Sequence, residues 1–159
     1  YLAMSVSPAI IDVSATTPEP TVAEIRPLMQ GGELPTSTIL ELIEEKLTPD
    51  AVRPLTDLVR VLPPEIKNYE LNVTYYIDRK NSANAAAIQV AANKAIADYV
   101  MWQKSKLGRD VNPSVLHKMI LDAGAKRANI TQPIYSVTDA TQVAICTTQA
   151  VIYGGLEDE

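Results

Sequence analysis

The most regular pattern of apolar and polar positions in this chain runs from Tyr69 to Ile77. Tyr69, Leu71, Val73, Tyr75 and Ile77 alternate with Glu70, Asn72, Thr74 and Tyr76. A period of two sends the first set to one face of a strand and the second to the other. The aromatic and β-branched side chains suit a pleated, half-buried surface. The spacing therefore predicts a strand with one dry face and one wet face, and no reactive group is aimed from it.

The first half of the chain reads as strand, strand, helix, strand. Ile11, Val13 and Ala15 alternate with Asp12, Ser14 and Thr16, and Thr17-Pro18-Glu19-Pro20 is expected to break the run. Val22 to Met29 predicts a second strand, placed at a sheet edge or ended by Pro27, which lacks the N–H a central ladder needs. Gly31-Gly32 reads as a turn. Thr38 and Glu41 have the spacing of a capping box, with Thr36 and Ser37 as alternative caps. Ile39, Leu40, Ile43 and Leu47 then share one helical face, opposite Glu41, Glu44 and Glu45. Thr48-Pro49-Asp50 stops this helix, and Val59 with Val61 begins a strand closed by Pro63-Pro64.

The second half reads as strand, helix, helix, strand, strand. Residues 78–84 form a polar connector with Ser82 or Asn84 as cap. Ile88, Ala92, Ala95, Tyr99 and Trp102 recur at helical spacing, and Gly108 suits the left-handed residue that ends a helix. Asn112-Pro113 opens a short helix with Val115, Leu116, Met119 and Ile120 inward, and Gly124 closes it. Lys126–Thr131 and Val143–Tyr153 complete the sheet, joined by a turn near Thr138-Asp139, while Gly154-Gly155 reads as a further turn. The class is α+β, with two small sheet-plus-helix layers in series, β-β-α-β then β-α-α-β-β. The expected domains are residues 1–64 and 65–159. A single mixed sheet with helices on one face is the alternative.

Composition sharpens this picture. The 159 residues are 47 % hydrophobic but include seven Tyr, one Trp and no Phe, so the core must be built mainly from aliphatic side chains and alanine. The net charge of −5 is unevenly spread along the chain. Residues 1–65 hold ten acids and four bases, a balance of −6; residues 66–155 hold six acids and ten bases, a balance of +4; the last four residues add −3. Oppositely charged halves could dock together, or dock copies head to tail; solvated faces with a chance imbalance are the plainer reading. The dispersed bases, with no aromatic interleaving, argue against nucleic acid as a partner. No run approaches the roughly 18 apolar residues of a membrane span.

Candidate chemistry is sparse. Cys146, the single cysteine, lies in an apolar run and reads as an inert buried thiol of a fold made in a reducing compartment. His117, the single histidine, reads as an exposed surface residue. One His and one Cys exclude an ordinary nitrogen-and-sulfur zinc site within the chain. Glu41, Glu44 and Glu45 suit an outer helix face better than a cation site. Arg53 and Asp57 flank Pro54-Leu55-Thr56 and are expected to pin a turn; Arg109-Asp110 could work the same way. Neither has the partner that would make it an acid–base pair. No catalytic, cofactor-binding or metal-binding residue is assigned.

Several segments, taken in order, carry a resemblance. They are Gly31-Gly32-Glu33-Leu34-Pro35, Val52-Arg53-Pro54-Leu55-Thr56-Asp57 and Tyr69 through Ile77. The later ones are Leu107-Gly108-Arg109-Asp110-Val111-Asn112-Pro113-Ser114, Ala123-Gly124-Ala125-Lys126-Arg127 and the ending Tyr153 through Glu159. Together the chain resembles the baseplate J-like proteins of contractile-tailed bacteriophages, prophages and phage-tail-like particles. Family members carry a further N-terminal region, so the resemblance implies the C-terminal part of one, in keeping with a start at Tyr1. Pro27 departs from the family, where that strand reads as uninterrupted.

The resemblance implies a structural wedge component of a tail baseplate, assembled in the host cytoplasm and devoid of catalytic residues. Its implied partners are other wedge and hub proteins and further copies of itself, with no nucleic acid, membrane or small-molecule substrate. Lys104, Lys106 and Arg109 are the candidate interface residues. The rival reading is a small ligand-binding or enzymatic domain using the Arg53–Asp57 and Arg109–Asp110 loops. A third is a generic α+β adaptor.

Overall fold

A computed structural model describes residues 2–47 and 58–158. The elements follow in chain order: β1 (Ile10–Glu19), β2 (Val22–Met29), α1 (Ser37–Leu47), β3 (Leu58–Val61), β4 (Glu65–Asp78), α2 (Ala85–Gln103), α3 (Pro113–Asp122), β5 (Arg127–Gln132) and β6 (Gln142–Glu157). The fold is α+β, two small sheet-and-helix units in series. The first comprises Tyr1–Lys67 with the short returns Lys104–Arg109 and Thr138–Ala144; the second is Asn68–Gln103, Asp110–Val137 and Ile145–Glu159.

In the first unit the strand order is β1-β2-β3, antiparallel then parallel. β2 is therefore central and runs through Pro27 to Met29, against the expectation of an edge strand or an early stop. The reason lies in its third neighbour. β3 pairs with β2 only from Val22 to Ile25, and the Leu62 N–H closes that ladder on the Ile25 carbonyl. The next rung of a parallel ladder would need an N–H at position 27, which proline lacks. β1 likewise continues through Pro18 to Glu19, because it is an edge strand and its register slips between Thr16 and Glu19. The turn falls instead at Thr21, at φ +64°.

A second slip between Ile10 and Asp12 places Ile10 and Val13 in one core although their positions differ in parity. There they join Ala3, Ile25, Ile43 and Val61. α1 presents Ile39, Ile43 and Leu47 to this core and keeps Glu41, Glu44 and Glu45 exposed, as its spacing predicts. Of the three possible caps, Thr36 holds the position, its carbonyl accepting the Leu40 N–H at 3.1 Å. Thr48-Pro49-Asp50 and the Arg53–Asp57 segment lie outside the described residues.

In the second unit β4 stands between β5 and β6. Tyr69, Leu71, Val73, Tyr75 and Ile77 are buried, while Glu70 and Asn72 are exposed and Thr74 and Tyr76 half-buried. β5 pairs with β4 antiparallel. It is not the hairpin partner of β6: residues 133–141 carry the chain to the other side of β4. This connection is tied by a two-way backbone bridge between Val111 and Ser136. Thr147 bonds the Tyr69 carbonyl and Tyr153 meets Tyr75, so contacts along β6 advance in step with β4.

A turn of 3-10 helix, Arg79–Asn84, leads into α2 and is itself capped by Asp78, which accepts the Lys80 N–H at 2.9 Å. The buried seam of α2 is Ala92, Ile96, Tyr99 and Gln103, with Trp102 displaced to its exposed margin. Tyr99 donates to the Asn112 carbonyl at 3.2 Å, and burial pushes its hydroxyl up to about 12. Asn112 in turn caps α3 through the Ser114 N–H, with Pro113 in the first turn as expected. α2 ends at Gln103, so Gly108, at φ +65°, shapes the following turn and is not the residue that closes the helix.

The two faces of β4 predict unequal responses to mutation. Leu71→Ala, at a fully buried site, should cost about 2–5 kcal/mol in a denaturant-unfolding experiment. Asn72→Ala on the wet face should stay within about 0.5 kcal/mol. Equal losses at the two positions would refute the assignment of dry and wet faces.

Candidate functional site

The three candidate interface cations share the turn that follows α2, a turn belonging to the first unit. Asp12 organises it. Its Oδ2 accepts the Leu107 N–H at 2.9 Å and its Oδ1 accepts the Val13 N–H at 2.9 Å. Lys104 lays its methylenes against Gly32: a Cβ there would stand 2.9 Å from three of its side-chain carbons. At φ +74° the backbone favours glycine for a second reason. Arg109 Nη1 donates to Ser105 Oγ at 2.9 Å. Partial burial lowers the Arg109 guanidinium pKa, and the Asp12 charge opposes that shift. Lys106 is exposed, and with Asp12, Ser14 and Thr138 it lines an open groove of about 410 Å³. Lys104 and Arg109 thus help to build the turn, whereas Lys106 presents charge to solvent.

A second constellation spans the wet face of the sheet in the second unit. The Arg127 guanidinium of β5 lies 3.8 Å from the centroid of the Tyr76 ring on β4. Beyond that ring it grips Glu157 of β6 with two donors, Nε to Oε2 at 2.7 Å and Nη2 to Oε1. The Tyr76 ring rests on Gly154, where an added Cβ would fall 2.3 Å from a ring carbon. Gly154 and Gly155 are therefore part of β6, not the turn their pairing suggests. Just beyond, Arg79 Nε donates to Asp158 Oδ1 at 2.7 Å, and Lys126 Nζ donates to the Asp158 carbonyl. The bond from Arg127 lowers the Glu157 carboxyl, and the same bond raises the guanidinium. Arg127, Tyr76 and Glu157 have no linear spacing that announces this. A glycine inside a β-type run was the available sign of close approach.

Folding also redistributes the charge. The first unit takes Lys67, Lys104, Lys106 and Arg109 from the basic half, reaching eleven acids and eight bases, or −3. The second holds eight acids and six bases, or −2. The opposite signs of the linear halves do not persist as oppositely charged units. Several bases are also paired locally, as in Lys94–Asp98 and Lys118–Asp122.

The remaining candidates each have local surroundings of their own. Arg109 turns to Ser105, whereas Asp110 accepts from the Tyr135 hydroxyl at 2.8 Å. Cys146 is half-buried, donates to the Thr148 carbonyl at 3.4 Å, and burial raises its thiol pKa. His117 is half-buried rather than exposed, lining a shallow hollow with Ser114 and Asn129. Among the described residues no group of three or more His, Cys, Asp or Glu could hold a metal ion, and no helix is long and apolar enough to cross a membrane.

Two outcomes follow from these geometries. Arg109→Glu sets a carboxylate beside Asp12 and should lower stability by about 1–2 kcal/mol, while Lys106→Glu should stay within about 0.5. Thermal or urea unfolding decides; equal effects would contradict the division of roles. Glu157 titrates below its ordinary 4.5 in the folded chain. Its clamp is fully formed above that value and is lost as the pH falls through the lowered one. The Arg127 Nε–H resonance should report this transition, and a signal unchanged down to acid unfolding would exclude the clamp.

Comparison with known proteins places this architecture. The curated Baseplate protein J of Escherichia phage P2 is 27 % identical over 99 % of this chain, and the chain spans 52 % of that protein. In a cryo-EM structure of the anti-feeding prophage (AFP) baseplate, 6-fold symmetrised, one chain matches with a TM-score of 0.60 at 14 % identity. That match covers 93 % of this chain and 35 % of the other, so the present chain spans about half or less of its relatives. A family model described as the baseplate J-like protein C-terminal domain matches residues 71–152, just over half of the chain. The later part of β4 through most of β6 falls within that match, and the chain belongs to the baseplate J-like protein family.

Proposed function

We propose that the chain is a structural component of a contractile-tail baseplate, a wedge part of a phage, prophage or phage-tail-like particle. Family membership carries this reading, and the likeness to a curated Baseplate protein J over 99 % of this chain supports it. The likeness to the AFP baseplate chain supports the fold. Residues 1–64 act as the middle domain of the family and residues 65–159 as its C-terminal domain, the short returns packing onto the first.

In this role the protein works by shape and contact. Its partners are other wedge and hub proteins and further copies of itself, at the tail baseplate after assembly in the host cytoplasm. No nucleic acid, membrane, cofactor or small-molecule substrate takes part, and no bond is made or broken. Lys106, with Lys104 and Arg109 behind it, contributes charge to one contact face. Long antiparallel and parallel ladders with buried apolar faces give the rigidity such a part needs.

Deleting the coding region from a particle-producing host tests the proposal. Electron microscopy should show no complete contractile particles, and supplying the gene in trans should restore them. Lys106→Glu supplied in the same way should lower the yield while leaving the melting temperature of the isolated chain unchanged. Complete particles in the deletion strain would overturn the reading.

A further inference from the structure

We infer that Arg79, Lys126 and Arg127 form a docking site for an acidic, extended peptide segment of a partner chain, filled in the isolated chain by its own Glu157 and Asp158. The inference stands on the geometry of the second unit and does not require the baseplate role. Its ligand class is set by three kinds of contact. The Arg127 fork makes two bonds to one carboxylate, braced from beneath by the Tyr76 ring. Arg79 takes the carboxylate of the next residue. Lys126 takes that residue's main-chain carbonyl. A free anion could satisfy the first two, but the third selects a polypeptide. Consecutive acidic residues in extended conformation fit all three, as Glu157 and Asp158 demonstrate.

The occupant is exchangeable for physical reasons. The Arg79–Asp158 pair lies at the surface, with side chains 57 % and 73 % exposed, where ion pairs are weak and screened by salt, while the Arg127–Glu157 pair is more sheltered at 48 % and 28 %. Glu157 and Asp158 gain from the high effective concentration of residues in the same chain, which a partner segment anchored nearby can match.

The test uses the full chain with Glu157→Gln and Asp158→Asn, titrated with a synthetic peptide of sequence Gly-Gly-Leu-Glu-Asp and followed by NMR at Arg127 Nε and the Lys126 amide. The neutral-tail chain should bind the peptide, and the unaltered chain should need about tenfold more, because its own tail competes. Adding Arg127→Gln should abolish the shifts, and about 0.5 M NaCl should weaken them strongly. Absence of shifts in the neutral-tail chain, equal affinity in both chains, or retention of binding after Arg127→Gln would each overturn the site. Inorganic phosphate producing the same shifts at equal concentration would refute its selectivity for peptide. A second readout is amide exchange at residues 156–158 of the otherwise unaltered chain. It should quicken severalfold with Arg127→Gln, and no change there would also sink the proposal.

Discussion

Burial of one face of β4 is the constraint on which the second unit depends. Five side chains, Tyr69 through Ile77 at every second position, are removed from water together. Their burial requires α2 and α3 on that side, and it commits every intervening residue to the opposite face. Because β4 is flanked on both edges, its wet face is also the middle of a three-stranded surface. Arg127, Tyr76 and Glu157 can therefore reach across three strands without a single close neighbour in sequence. A slip of one residue in β4 would exchange the faces, so the same alternation that builds the core also places the clamp.

The parts of this architecture that were legible beforehand are those governed by local period. The β4 alternation, the apolar stripe of α1, and the Asn112-Pro113 start of α3 each rest on residues within a few positions of one another. What misled was nonlocal. Pro27 predicted an edge or an end, yet one strand can be central over its first half and one-sided over its second. Gly154-Gly155 looked like a turn because the ring that rests on Gly154 comes from residue 76. The buried seam of α2 runs to Gln103, not Trp102, a difference of one position that a stripe of alanines leaves undetermined.

Charge shows the same limit more sharply. Counted along the chain, residues 1–65 and 66–159 differ by seven charges, −6 against +1; counted by compact unit, the two differ by one. The turn Lys104–Arg109 makes most of that change by returning to the acidic unit, where Asp12 receives it. An electrostatic docking of oppositely charged halves loses its basis in that redistribution. Surface recognition must then depend on local pattern: Lys106 at its groove, and the cation cluster beside the C-terminal residues.

Such local patterns are what a protein of this family would use if assembly is its work. Broad rigid surfaces hold shape through buried sheet faces, whereas order of assembly needs contacts that form late and release early. Exposed ion pairs have that character, since each contributes little and several must act together. The Arg127 clamp couples such pairs to a packed element through Tyr76, so its state is felt by β4 and β6 at once. An acidic strand end held by exposed cations beside a well-buried sheet therefore divides the labour: the core resists deformation, and the rim decides what is bound.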